Sequence, residues 1–176
     1  HKGAVGAAQL NLRLQASLNP NGLEVRRGDR SFRLHDKVMQ IRNNYDVVWE
    51  KDDGAMGAGI FNGDVGVIQE IDPSGELITI QFDDRTCVYT ADLLNQLDMA
   101  YAMTVHKAQG SEYRCVVLVS AAVAPALMVR GVLYTAITRA RELLVLVGDD
   151  VAPGQMAAND RQQRRYSGLR RRLREE

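Results

Sequence analysis

The chain has 176 residues, of which 45% are hydrophobic, enough for one ordinary core or for a medium core and a small second domain. Its 22 basic and 22 acidic residues cancel, so there is no global positive field and any nucleic-acid contact must come from a local patch. No apolar run approaches the ~20 residues that span a bilayer. We therefore expect a soluble, cytoplasmic protein with no membrane partner.

The two cysteines, Cys87 and Cys115, lie far apart and lack the paired spacing of a zinc site. We expect no metal site in the chain and interpret both residues as buried thiols in a reducing compartment. The chain begins at His1, already inside a helical pattern. This start predicts a piece of a longer protein.

The first part of the chain predicts a helix followed by a small barrel. Apolar residues recur at helical spacing over residues 5–18, and Asn19-Pro20-Asn21-Gly22 is a strong stop. Short β-branched stretches separated by Asp-Gly and Asn-Gly turns follow, at residues 31–42, 63–71, 76–82 and 86–90. Several strands at such short spacing are typical of a small β-barrel.

The second part of the chain predicts a parallel sheet with a helix. Residues 98–105 are consistent with a buried strand, 115–121 and 143–147 with apolar parallel strands, and 127–141 with a helix. The simplest assembly is an α/β domain from residues 1–25 and 95–155, with a β-barrel inserted at 26–94. The arginine-rich tail at 156–176 fits either a DNA-contacting segment or a solvated terminal end.

Residues 102–113 are unusually dense in polar groups. Hydroxyl, imidazole, ammonium, carboxamide and carboxylate side chains follow one another here, and such a loop is costly to order unless it binds a ligand. The hydroxyl and imidazole groups suit phosphate and sugar contacts, and Gly110 permits close backbone approach. Glu112 is able to accept hydrogen bonds from ribose hydroxyls.

The run at 133–142 forms a second polar cluster on a predicted helix. Helical spacing places Leu133, Ala136, Ile137 and Ala140 on the buried side. Arg139, at the accessible end, offers a planar, permanently charged fork for phosphate oxygens. The alternative is a surface salt bridge between Arg139 and Glu142, or another nearby acid, which contributes about 1 kcal/mol or less.

Together, the two runs resemble the fifth and sixth conserved motifs of superfamily 1 helicases. The strings TVHKAQGSEY and LYTAITRARE are similar to those of the RecD-like branch, the exodeoxyribonuclease V alpha subunit family, which translocates 5′ to 3′. The resemblance implies a second RecA-like motor domain with an inserted Src-homology-3-like barrel, in an α/β fold. It also implies that Arg139 is the catalytic arginine finger.

The same resemblance assigns the other site residues. Gly110, Glu112 and Arg139 are expected on the nucleotide side. Contacts to single-stranded DNA are expected from Thr104, His106, Lys107, Gln109, Ser111, Asn62 and Asn44. For Asn43 and Asn44 the favoured alternative is capping of strands. The segments DKVMQIRNNY and FNGDVG resemble strings of the family's barrel, with His35 where a glycine is common, and Lys2, Gly3 and Gly6 resemble its opening turn.

A phosphate-binding loop of the form Gly-x-x-x-x-Gly-Lys-Ser/Thr does not occur in the sequence. We therefore expect ATP and Mg²⁺ to be bound mainly by a first RecA-like domain, a partner outside this sequence, and the chain alone to be inactive. Other exonuclease V subunits are further candidate partners. The alternative function is a non-catalytic scaffold module, binding DNA or a partner, in a recombination or conjugation complex.

Overall fold

The computed structural model describes residues 5–121 and 123–161. The chain divides into two compact units, His1–Ala108 and Gln109–Glu176, which are described separately. The arginine-rich tail beyond Arg161 and the Lys2 and Gly3 positions lie outside the described residues. The boundaries of the motor domain and the inserted barrel remain a prediction.

The first unit contains one helix and nine strands among the described residues. Helix α1 spans Ala7–Leu18, two residues shorter at its start than predicted. The strands are β1 (Glu24–Arg27), β2 (Arg30–Arg33), β3 (Lys37–Gln40), β4 (Asn44–Glu50), β5 (Met56–Ile60), β6 (Val65–Ile71), β7 (Leu77–Phe82), β8 (Arg85–Thr90) and β9 (Leu97–Met99). A 3-10 helix at Ala91–Gln96 leads into β9.

Strands β3 to β9 form one antiparallel sheet in the order β5-β4-β8-β7-β6-β3-β9, and β1 pairs with β2 as a separate ribbon. Alternation of side chains along the strands produces the core, as in β7, where Ile78, Ile80 and Phe82 are buried. Tyr89 is also buried, and its hydroxyl donates to Gln40 Oε1 at 3.1 Å. The core therefore contains a satisfied polar pair.

The structure corrects three strand predictions in the first unit. Strands β4 and β5 were not expected, and the stretch 31–42 is two strands rather than one. The break occurs where His35 adopts a positive φ of 70° and Arg33 N donates to Asp36 Oδ2. The predicted buried strand at 98–105 is also wrong, because only Leu97–Met99 pairs with β3.

The second unit contains a strand-helix-strand arrangement. Strand β10 (Tyr113–Val119) pairs in parallel with β11 (Ala140–Val147), and helix α2 (Arg130–Ile137) connects them after a short 3-10 helix at Pro125–Leu127. Helix α3 (Val151–Ala158) follows. The parallel pairing confirms the predicted parallel strands with a helix between them, and the mixed α/β character agrees with the predicted fold class.

The predicted helix at 127–141 is too long at both ends. Helix α2 ends at Ile137, where the Thr138 hydroxyl donates to the Tyr134 carbonyl at 2.9 Å. Arg139, which follows Thr138, already pairs with β10 through its backbone, because Tyr113 N donates to Arg139 O at 2.8 Å. Leu133 and Ala136 are buried as expected, but Ile137 is 41% exposed and Ala140 belongs to β11.

The two cysteines differ in environment. Both thiols are free, Cys87 is buried in the sheet of the first unit, and Cys115 is exposed on β10. The prediction that both are buried is therefore wrong for Cys115. Burial raises the pKa of the Cys87 thiol to about 11.

Candidate functional site

The loop that carries the first motif begins with a tight turn in the first unit. Ala108 N donates to the Thr104 carbonyl at 3.1 Å, and Lys107 N donates to Thr104 Oγ1 at 3.3 Å. His106 and Lys107 are exposed on this turn, and Thr104 is half-buried. The predicted DNA-contacting side chains at 106 and 107 are therefore accessible to a ligand.

Helix α1 holds the segment that enters this turn. Asn11 Nδ2 donates to the carbonyls of Met99 at 3.2 Å and Ala102 at 2.8 Å, and Asn11 Oδ1 accepts from Ala102 N at 2.7 Å. Ala100 N donates to the Lys37 carbonyl at 2.8 Å on the opposite flank. The segment is thus fixed between the helix and the sheet.

A buried carboxylate adds a further restraint. Asp36 is fully buried and accepts four hydrogen bonds. The donors are Asn19 Nδ2 and the Tyr101 hydroxyl to Oδ1, and Gln15 Nε2 and Arg33 N to Oδ2. Burial, and then the hydrogen bond to Asp36, raise the pKa of Tyr101 to about 12. Tyr101 therefore stays protonated and donates at neutral pH.

Lys107 is held by an acid of its own unit. Its Nζ lies 2.9 Å from Asp98 Oδ2, and Arg30 Nη2 lies 3.7 Å from Asp98 Oδ1. All three side chains are partly exposed. Neither Arg30 nor Asp98 belongs to a sequence motif, so neither residue was predicted as part of the site.

The remainder of the loop lies in the second unit. Gly110 has a φ of +86°, which favours glycine, and both Gln109 and Gly110 are exposed. Glu112 Oε2 accepts from Arg141 Nε at 2.6 Å, so its carboxylate already has a cationic partner. The unit boundary between Ala108 and Gln109 separates these residues from Thr104, His106 and Lys107.

The guanidinium of Arg139 is half-buried and makes three hydrogen bonds. Nε donates to the Thr135 carbonyl at 3.1 Å, Nη1 to the Ser111 carbonyl at 2.9 Å, and Nη2 to Thr138 Oγ1 at 3.2 Å. Glu142 instead pairs with Arg114, whose Nε lies 2.8 Å from Glu142 Oε1. The proposed salt bridge between Arg139 and Glu142 is therefore wrong.

Of the two asparagines predicted to bind DNA, Asn44 begins β4 and Asn62 lies in the turn between β5 and β6. Asn44 Oδ1 accepts from Asp46 N, and Asn44 Nδ2 donates to Gln96 Oε1 at 3.1 Å, contacts that fit strand capping. The backbone N of Asn62 donates to Asn43 Oδ1 at 3.0 Å. DNA contact by Asn44 and Asn62 stays a prediction.

The described residues show neither a metal-binding cluster nor a membrane-spanning helix. Within residues 5–121 and 123–161, no group of three or more His, Cys, Asp or Glu side chains is arranged to hold a metal ion. None of the described helices combines the length and the apolar character needed to cross a membrane.

Comparison with known proteins identifies two matching families. Residues 10–82 match the family model for the ATP-dependent RecD-like DNA helicase SH3 domain, and residues 99–147 match that for the UvrD-like helicase C-terminal domain. The first match begins inside α1 and ends with β7. The second includes both motif runs.

Individual relatives agree with these families. The chain is 34% identical over 173 residues, 98% of its length, to the ATP-dependent RecD2 DNA helicase of Deinococcus radiodurans, and covers 22% of that protein. It is 34% identical over 117 residues, 66% of its length, to the RecBCD enzyme subunit RecD of Mycobacterium tuberculosis, covering 20% of it. The RecD subunit of Mycolicibacterium smegmatis is 36% identical over 118 residues, 67% of this chain and 20% of the subunit. The chain thus spans about a fifth of the length of these relatives.

Proposed function

The chain belongs to the RecD-like helicase family, and from this premise we propose that it is the C-terminal part of an ATP-dependent 5′ to 3′ DNA helicase. Residues 1–25 and 95–155 form the second RecA-like motor domain, and residues 26–94 form the inserted Src-homology-3-like barrel. The motif loop supplies part of the single-stranded DNA track. Arg139 supplies the arginine finger.

The contacts of Arg139 carry this proposal. Its guanidinium joins the two motif runs, because it bonds Ser111 of the loop and also Thr135 and Thr138 of the helix end. All three acceptors are neutral oxygens, and within residues 5–121 and 123–161 no carboxylate forms an ion pair with Arg139. A phosphate oxygen forms shorter and stronger bonds to guanidinium than a neutral carbonyl does. Reaching ATP would therefore release the Ser111 carbonyl and change the loop that holds DNA.

The chemistry expected of the chain is limited to binding and charge stabilisation. ATP is the substrate, and a first RecA-like domain would hold most of the triphosphate and the Mg²⁺. Gly110 and Glu112 are proposed to lie near the nucleotide, and Arg139 to stabilise the charge that develops on the transferred phosphoryl group. The chain alone is proposed to turn over no ATP.

The exposed apolar strands of the second unit support a larger motor sheet. Val117, Leu143 and Leu146 are 60%, 53% and 49% exposed, yet parallel sheets are normally covered on both faces. We propose that further strands and helices of the same motor domain cover these residues in the full-length protein.

The partners follow from the family as proposals. Single-stranded DNA would contact Thr104, His106, Lys107, Gln109 and Ser111. Two of the relatives are named as subunits of the RecBCD enzyme, so assembly with other exonuclease V subunits is one possible setting. Action as a single polypeptide is the other.

The substitution Arg139→Ala in the full-length protein tests the arginine finger. DNA-dependent ATP turnover should fall by about 10³- to 10⁵-fold, with little change in ATP affinity, because the guanidinium acts mainly on the transition state. Steady-state phosphate release with and without single-stranded DNA measures both quantities. Arg114→Ala is the matched control, because Arg114 is exposed and pairs with Glu142.

Three outcomes separate the alternatives. An unchanged rate for Arg139→Ala would remove its catalytic role. Full-length wild-type protein that binds DNA without any ATP turnover would favour the scaffold module. Turnover by the 176-residue chain alone would contradict the division of labour between two motor domains.

A further inference from the structure

Asp98 in the first unit lies between two cations that come from different parts of the chain. Its Oδ2 is 2.9 Å from Lys107 Nζ, and its Oδ1 is 3.7 Å from Arg30 Nη2. The three side chains are 39% to 44% exposed. Two cations and one carboxylate leave this cluster with one net positive charge.

Three separate elements position these groups. Arg30 begins β2, and its Nη1 donates to the Leu97 carbonyl. Asp98 is in β9, opposite Met39 of β3. Lys107 belongs to the turn that Thr104 closes. The cluster thus links the β1–β2 ribbon to the motif loop through the backbone of β9.

Arg30 and Lys107 are able to exchange the Asp98 carboxylate for a phosphate group. A carboxylate and a phosphodiester accept the same donors, and a guanidinium with one N–H bonded to a carbonyl keeps others available. Partly exposed ion pairs are weak because water and salt screen them. A phosphate near Arg30 and Lys107 would therefore replace or share the contacts of Asp98 at little cost.

We propose that Arg30 and Lys107 form a two-cation subsite for a backbone phosphate of single-stranded DNA, in which Asp98 is the competing internal anion. This inference rests on the proposed function, because it takes single-stranded DNA as the ligand. It adds Arg30 and Asp98 to the track and gives them opposite effects. Arg30 favours binding, and Asp98 restrains it so that the strand can be released.

Neutralising Asp98 should strengthen DNA binding. In nucleotide-free full-length protein, Asp98→Asn should bind a fluorescein-labelled oligothymidylate about three- to fivefold more tightly, because the repulsion of one exposed carboxylate is lost. Arg30→Gln should weaken binding by a similar factor and reduce the slope of log K against log salt by about 0.7, the value for one phosphate contact. Fluorescence anisotropy at several salt concentrations measures both.

The first unit also contains a matched control pair. Lys51 Nζ lies 2.8 Å from Asp84 Oδ2, so Asp84→Asn removes the carboxylate of another lysine pair and changes the net charge equally. Asp84→Asn should leave the affinity for the oligonucleotide within about 1.5-fold of wild type, a change at the low end for exposed pairs. A gain as large as that of Asp98→Asn would show a general charge effect and overturn the subsite.

A double-substitution cycle tests whether Asp98 acts through Lys107. The gain from Asp98→Asn should shrink when Lys107→Gln is also present. If Lys107→Gln weakens binding while Asp98→Asn and Asp98→Ser do not strengthen it, the subsite is wrong and the loop keeps its DNA role. If the wild-type protein does not bind the oligonucleotide even at low salt, both the subsite and the proposed DNA track are wrong.

Discussion

The first unit buries one apolar face of its strands, whereas the apolar strand residues of the second unit have no enclosed face among the described residues. In the first unit Ile60, Ile68, Ile78 and Ile80 have no exposed surface. The apolar residues of β10 and β11 in the second unit are half-buried or exposed. The contrast follows from the two strand patterns, alternating in the first unit and continuously apolar in the second.

An alternating strand has one apolar face, and a sheet of such strands can enclose its own core. A continuously apolar strand has two apolar faces, which must both be covered by other elements. The first unit therefore buries one face of its strands in a core of its own. The exposure of β10 and β11 agrees with the proposal that further elements of the motor domain cover the second unit.

The largest expected difference concerns the two thiols. At pH 7.5 Cys115 of the chain should react with a maleimide at least about a thousandfold faster than Cys87, whose reaction requires the first unit to open by several kcal/mol. While the unit is closed, burial also keeps the Cys87 thiol protonated, with its pKa raised to about 11, so the closed state does not react. Mass spectrometry of labelled peptides over time measures both rates.

The same labelling tests the cover of the second unit. In the full-length protein Cys115 should become protected, because β10 would lie inside a larger sheet. A chain in which both thiols react at similar rates would contradict the difference between the units. Equal reactivity of Cys115 in the chain and the full-length protein would contradict the proposed cover.

A pair of truncations tests the same contrast through stability. Ile80→Ala removes a fully buried side chain and should lower the free energy of unfolding of the first unit by about 2–5 kcal/mol. Val117→Ala, at a residue 60% exposed, should change stability by about 0.5 kcal/mol or less. Urea unfolding monitored by the fluorescence of Trp49, the single tryptophan, follows the first unit, and far-ultraviolet circular dichroism follows both units. Equal effects of the two substitutions would contradict the contrast.

Substitutions in the hydrogen-bond network of Asp36, the buried carboxylate of the first unit, should have smaller effects on stability than Ile80→Ala. Asp36→Asn replaces one of the two carboxylate oxygens, which accept four hydrogen bonds, by an NH₂ group that donates. The free energy of unfolding of the first unit should fall by about 2 kcal/mol. Tyr101→Phe removes one bond and should cost about 1 kcal/mol. Tyr45→Phe, at a tyrosine 67% exposed, is the control and should have no measurable effect. An Asp36→Asn variant as stable as the wild type would mean that this network does not stabilise the first unit.

Much of the fold was predictable, because apolar periodicity and turn residues mark most elements. Helix α1, β6, β7, β8 and the parallel pair follow these signals. Strand β5 was missed because it has low β-propensity, with Gly57 and Gly59 in its middle. The β-branched and aromatic residues of β4 do favour a strand, so that omission was an error of interpretation. The structure explains Gly57, because a Cβ there would lie 2.3 Å from the Trp49 ring across the β4–β5 pair.

Some residues of the candidate site were likewise predictable from the sequence, and others were not. His106, Lys107 and Arg139 were named as candidates because they belong to contiguous strings that resemble family motifs, and their roles stay predictions. Asn11, Asp36 and Asp98 were missed because each acts on a residue elsewhere in the chain, through contacts that depend on the folded sheet. The boundary of helix α2 was misplaced because the sequence 133–142 has helical spacing that sheet pairing overrides.

The three hydrogen bonds between Asn11 and the segment 99–102 have a consequence for biosynthesis. Asn11 and Ala102 are 91 positions apart in the sequence, so the ribosome must make all the intervening strands before these partners can meet. Contacts of such long range close late and slowly, because the chain between them must first lose its freedom. The motif loop of a nascent chain therefore takes its final shape only after all the strands between residues 11 and 102 have been synthesised.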